Sequence, residues 1–330
     1  MTNETADEPM IPLADIPIID ISDLHSPELS KRMAVARQLD EANRRIGFLV
    51  ITNHGVSTDL ISAMHESSEE FFRQPAEYKE QAAIKDPNIS RGYIPPKARS
   101  LAASSSGYGE RDYVEYFAMG SPKLTGAGLF DHANVWPPDS DDMRSIWEQY
   151  FAAMEDLTAT LLRGFALALG VDEDYFTESC DRHCSVLFAN GYPPVSDQTV
   201  PNEIRLGRHT DYGSITILYR DERPSGLQVL QDGEWRSVPD IPGAYVVNVG
   251  DLLARWTNDR WVSTVHRVAN PPVLHHGNRR LSIPFFHQPN VDAVIRAIPT
   301  TVGADGEKYL PITSGENYLE KTQLSTAGKS

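Results

Sequence analysis

His209 and Asp211, in the run Arg208-His-Thr-Asp-Tyr-Gly-Ser-Ile-Thr-Ile-Leu218, carry the clearest chemistry in the chain. A second histidine, His266, follows 55 residues after Asp211. Two imidazoles and one carboxylate form the facial set that suits iron(II) and leaves coordination positions open. Arg280, 14 residues beyond His266, adds a fixed cation that could receive an acidic cosubstrate. His266 is too distant in sequence to share a helix or hairpin with His209 and Asp211. Intervening strands must therefore wrap around and return.

The elements needed for that are legible. Ile16–Ile21 reads as a short strand, and Lys31–Ile46 has helical spacing ending near Gly47. Phe48–Thr52 reads as a buried strand, and Ser57 or Thr58 can cap a second helix that ends before Pro75. Ser140–Leu169 is the longest helical pattern, and Gly170 ends it. Between these helices, Pro87–Pro138 reads as a long loop. From Ser185 onward short β-rich runs take over: Ser214–Tyr219, Leu227–Leu230, Ala244–Val249 and Leu281–Phe286. Asp232-Gly233 marks a hairpin turn. Many short strands at even spacing favour a sandwich or barrel.

The expected class is α+β with a mainly β core, flanked by N-terminal helices. A single compact unit over 1–330 divides into a helical and loop region (16–138), support helices (139–184), a β core (185–295) and a tail (296–330). The tail has weak helical spacing over Thr313–Leu324 and is a candidate lid.

Composition sets bounds. With 40% hydrophobic and 23% charged residues the chain is globular. Its net charge of −16 argues against nucleic-acid or anionic-membrane partners. No apolar run approaches the ~18 residues of a membrane span, and Met1–Met10 has no signal-peptide pattern, so a cytoplasmic protein is expected. No exposed heptad is visible, so a monomer acting on a small molecule is expected. Cys180 and Cys184 are too few for a structural zinc site and read as ordinary thiols.

A set of ordered fragments resembles the isopenicillin N synthase-like branch of the iron(II)/2-oxoglutarate-dependent dioxygenases. It comprises Ile16-Pro-Ile-Ile-Asp-Ile21, Gly47-Phe-Leu-Val-Ile-Thr-Asn-His-Gly55, Arg91-Gly-Tyr93, Asn190-Gly-Tyr-Pro-Pro194 and His209-Thr-Asp-Tyr-Gly213. Gly226-Leu-Gln-Val229, Pro242–Asp251, His266-Arg-Val268 and Arg280-Leu-Ser-Ile-Pro284 complete it. The resemblance implies a double-stranded β-helix (jelly roll, cupin-like) with His209, Asp211 and His266 as iron(II) ligands. It implies 2-oxoglutarate as cosubstrate, held by Arg280, Ser282, Tyr192 and Asn190, and O2 as oxidant. The implied reaction releases succinate and CO2 while a C–H bond is hydroxylated, desaturated or cyclised, as in secondary metabolism and antibiotic biosynthesis.

Substrate contacts are expected from Arg91, Tyr93, Arg99, Tyr108 and Tyr113, whose cations and rings would suit a carboxylate-bearing metabolite. On the Arg280 strand, residues 280, 282, 284 and 286 share one face. A bulge at Pro284 would reverse that face beyond it, which makes Phe285 and His287 further candidates. Arg279 is expected to face solvent. A 2-oxoglutarate-independent iron oxidase and a non-catalytic jelly-roll binding protein remain as alternative readings.

Overall fold

The structure is a computed structural model that describes residues 11–86, 88–98, 112–194, 205–221, 226–269 and 279–327. Its centre is an eight-stranded sheet built from β1 (Ile18–Asp20), β2 (Phe48–Thr52), β3 (Gly92–Ile94), β4 (Glu115–Gly120), β5 (Val186–Tyr192), β7 (Ile215–Arg220), β10 (Tyr245–Val249) and β12 (Arg280–His287). The strands lie in the order β1-β2-β10-β7-β12-β5-β4-β3. All neighbours are antiparallel except β1 and β2. A smaller sheet has the order β6-β11-β8-β9, from β6 (Leu206–His209), β8 (Leu227–Gln231), β9 (Glu234–Ser237) and β11 (His266–Val268). Together these form a mainly β, jelly-roll core.

Alternation decides which residues go where. One face of the large sheet presents Leu49, Ile51, Phe117, Leu187, Ile217, Val247, Ile283 and Phe285 to helices α1 (Leu29–Arg45), α2 (Thr58–Arg73) and α3 (Asp141–Leu169). The other presents Phe48, Val50, Tyr116, Tyr192 and Val246 toward Leu206, Leu227, Val229 and Val268 of the small sheet. Strands with both faces covered become apolar on both, which is why β2 and β10 read as nearly unbroken apolar runs, interrupted in β10 by Asn248.

The helix ends follow local chemistry. Ser57 accepts a hydrogen bond from the Leu60 amide at the start of α2, and Gly170 closes α3 in the left-handed region at φ 72°. Asp232 (φ 53°) and Gly233 (φ 81°) both have positive φ in the β8–β9 turn, as a type I′ hairpin requires.

Two expectations are corrected. The span read as a long loop holds β3 and β4, paired with each other and, through β4, with β5. Pro284 causes no bulge: β12 keeps one register against β7 from Ser282↔Arg220 to His287↔Ile215. Against β5 the pairing skips Ile283 and Pro284 and resumes in the same register at Phe285↔Leu187. Proline lacks an amide donor, so it removes a ladder bond without shifting the strand.

Candidate active site

His209 closes β6 and His266 opens β11, and these antiparallel neighbours place the two residues directly opposite each other. Their ring centroids are 4.2 Å apart. Asp211, two residues past His209, puts Oδ1 at 3.7 Å from the Nε2 atom of each histidine. All three residues are buried, and their candidate ligand atoms lie within 4.8 Å of one another.

Hydrogen bonding fixes which atoms face the common point. His209 Nδ1 donates to Gly207 O at 2.7 Å, and His266 Nδ1 to Thr264 O at 3.1 Å. A carbonyl only accepts, so each Nδ1 carries a proton, and Nε2 is the ring nitrogen left to face the common point. Asp211 Oδ2 accepts from Thr216 Oγ1 at 2.5 Å and Asn248 Nδ2 at 2.7 Å, which leaves Oδ1 for a metal.

Charge agrees with that role. Burial, then the neighbouring His266, pushes the His209 imidazole down to about 4. Burial pushes the Asp211 carboxyl up, but the two imidazoles and the bonds from Asn248 and Thr216 outweigh it and hold it below the ordinary carboxylate range. His209 is thus held neutral beside an ionised Asp211, and two imidazoles with one carboxylate are a donor set that fits iron(II).

A cavity runs from this group to Arg280, enclosing about 470 Å³ including its open mouth. Arg280 and Ser282 lie on β12 opposite Tyr192 and Asn190 of β5. Ser282 Oγ is 3.3 Å from Asn190 Nδ2 and 3.4 Å from the Tyr192 hydroxyl, and the Arg280 guanidinium sits 5.0 Å from the Tyr192 ring centre. Between them, Gly191 is required by close approach: a Cβ there would meet the Phe72 ring at 2.9 Å. Phe48, Leu206, Leu218, Leu227, Val268 and Phe286 complete an apolar wall.

The other expected substrate contacts lie elsewhere. Phe285 packs edge-on against Phe151 on the helix-covered face, and His287 is buried with Nδ1 at 2.6 Å from Ser214 Oγ. The uninterrupted parity of β12 turns Phe286 into the cavity instead. Arg91 is buried, with its guanidinium donating to the Ser90 and His132 carbonyls. The Tyr93 hydroxyl donates to Glu115, and Tyr113 lies against Lys97. Arg99 and Tyr108 fall outside the described residues.

Arg279 does not face solvent freely; it pairs with buried Glu115 at 2.6 Å. His183 bonds Glu155, and among the described residues the His209–Asp211–His266 group is the one cluster suited to a metal. Sequence reading missed Thr216, Asn248 and Phe286. Asn248, a lone amide in the apolar run Tyr245–Val249, was the available signal.

The tail helix α4 (Ser314–Ala327) reaches the metal-binding loop from outside. The Tyr318 and Tyr212 rings are 6.2 Å apart, and Lys321 Nζ donates to Asp251 Oδ2, which also accepts from Thr210. Among the described residues no helix is long and apolar enough to cross a membrane.

Comparison with known proteins agrees with this geometry. Residues 16–139 match the family described as non-haem dioxygenase in morphine synthesis N-terminal, and residues 183–289 match the 2OG-Fe(II) oxygenase superfamily. A validamycin A dioxygenase from Streptomyces hygroscopicus subsp. limoneus is 30% identical over 93% of this chain and 85% of its own length. A homoarginine-6-hydroxylase of Arabidopsis thaliana is 31% identical over 94% of this chain and 98% of its own. The crystal structure of a full-length Neurospora crassa protein in complex with alpha-KG superimposes with a TM-score of 0.84, at 31% identity, covering 94% of this chain and 96% of that one. The chain therefore belongs to the 2-oxoglutarate/iron(II) oxygenase family and is a 2-oxoglutarate-dependent dioxygenase that uses iron(II).

Proposed function

We propose that the protein hydroxylates an unactivated C–H bond of a small, carboxylate-bearing metabolite, with 2-oxoglutarate and O2 consumed and succinate and CO2 released. In this reading His209 Nε2, Asp211 Oδ1 and His266 Nε2 hold iron(II). Arg280, Ser282 and Tyr192 receive the far carboxylate of 2-oxoglutarate, the guanidinium bidentately. The bound metal supplies O2 activation, and the protein supplies position and exclusion of water. The apolar wall holds the cosubstrate's methylenes and keeps the interior dry, which strengthens each polar contact inside.

The observation that carries this reading is one continuous cavity joining the three ligand atoms to the Arg280–Ser282–Tyr192 cradle. It supports 2-oxoglutarate use over a cosubstrate-independent oxidation, because the cavity offers a dicarboxylate the three ligand atoms at one place and the Arg280 guanidinium at another. The expected carboxylate on the substrate loses Arg91 as support and rests on the relative named for homoarginine.

The test is substrate-stimulated succinate formation across amino acids, peptides and acidic metabolites, with product mass. One oxygen atom gained per succinate supports hydroxylation. Substrate oxidation at an unchanged rate without 2-oxoglutarate would overturn the reading.

A further inference from the structure

Arg205 is a fully buried guanidinium with little to satisfy it. It is 1% exposed, among the most enclosed large side chains in the molecule. Among the described residues its one hydrogen bond runs from Nη2 to Pro193 O at 3.4 Å, and its buried Nε has no partner. Asp221 exerts some attraction, but that carboxylate already accepts the Leu281 amide at 2.8 Å. Asp221 is one buried carboxylate that attracts Arg220 as well, so Arg205 is left short of negative charge, a costly state for a buried cation.

The position says which anion. Arg205 precedes Leu206, which lines the cavity, and its guanidinium sits 5.4 Å from the Tyr192 ring centre. Arg280 sits 5.0 Å from the same ring. Two guanidinium groups thus lie against one aromatic side chain: Arg280 lines the cavity, and Arg205 sits against the same Tyr192 ring without itself lining it. Burial first, and then the charge of Arg280, pull Arg205 down to about 10, which is what two confined like charges do to each other. A carboxylate placed there relieves the desolvation of one cation and the repulsion between both.

We propose that Arg205 is a second cation for the far carboxylate of 2-oxoglutarate, acting with Arg280 to select a dicarboxylate cosubstrate. The inference rests on the functional reading above and adds a residue to it. It makes the cosubstrate end of the cavity doubly positive, so removing the cosubstrate's far charge should matter more than shortening its chain.

The test is equilibrium binding to the full-length protein loaded with Mn(II), without oxygen, comparing 2-oxoglutarate with 2-oxopentanoate, which lacks the far carboxylate. Arg205→Met should weaken 2-oxoglutarate roughly 10- to 100-fold, the scale of one charge-assisted hydrogen bond, and leave 2-oxopentanoate within about twofold. Arg205→Lys, which keeps the charge and most of the packing, covers the case in which the methionine variant does not fold. It should weaken 2-oxoglutarate several-fold, again with 2-oxopentanoate unchanged. Unaltered binding of 2-oxoglutarate, or equal loss for both ligands, overturns the proposal. Failure of the unsubstituted protein to bind 2-oxoglutarate would instead remove the functional reading beneath it.

Discussion

Asn248 donates its side-chain amide to Oδ2 of Asp211 at 2.7 Å, from the middle of an otherwise apolar strand. The bond holds the carboxylate so that Oδ1 points at the two histidines. Replacing Asn248 by Leu leaves the three ligand atoms in place and removes one of the two bonds to Oδ2. Loss of such a supporting bond typically costs about 10- to 100-fold in metal affinity. Titration with iron(II) or Mn(II) should show that loss with little change in melting temperature.

Glu115 sits on the opposite face of the sheet from Arg280 and receives three donors: Lys79 at 2.6 Å, Tyr93 at 3.0 Å and Arg279 at 2.6 Å. Removing one partner of a buried pair leaves its cations without compensation, at a cost of about 3–5 kcal/mol. Denaturant unfolding of Glu115→Ala should show a loss of that size. A loss under about 1 kcal/mol would mean the group is solvated like a surface pair.

His287 should govern part of the acid sensitivity. Burial first, and then the nearby His183, push its imidazole down to about 3, well below the 6.5 of a free histidine. Below pH 6.5 the unfolded chain takes up a proton that the folded site refuses, so stability falls as pH falls, until about pH 3. At about 1.4 kcal/mol per pH unit, the loss by about pH 5 is roughly 2 kcal/mol from this residue. The difference in unfolding free energy between about pH 7 and about pH 5 should therefore shrink by that amount in His287→Gln. An identical pH slope in the two proteins would contradict the assignment.

Much of this is legible in the sequence, for identifiable reasons. Phe48–Thr52 can be read to the residue because four apolar residues and a β-branched Thr52, set between Gly47 and Asn53, suit a buried strand. The pairing of His209 with His266 needs only strands that return. What escapes is set by partners distant in sequence. Glu115 and Arg279 look like surface charges until the β4–β5–β12 order brings them together. Phe286 follows from strict alternation, and Pro284 obscures it because a missing donor and a bulge look alike in sequence. Arg205 gives no sign at all, since the Tyr192 ring it lies against belongs to a different strand.

The most direct measurement is 2-oxoglutarate binding under anaerobic conditions, with and without iron(II), in the unsubstituted protein and in Asp211→Ala. If the cavity joins metal to dicarboxylate as described, iron(II) tightens 2-oxoglutarate binding strongly, and Asp211→Ala abolishes that gain while binding without metal stays the same. Metal-independent binding in the unsubstituted protein, or an undiminished gain in Asp211→Ala, would contradict the account.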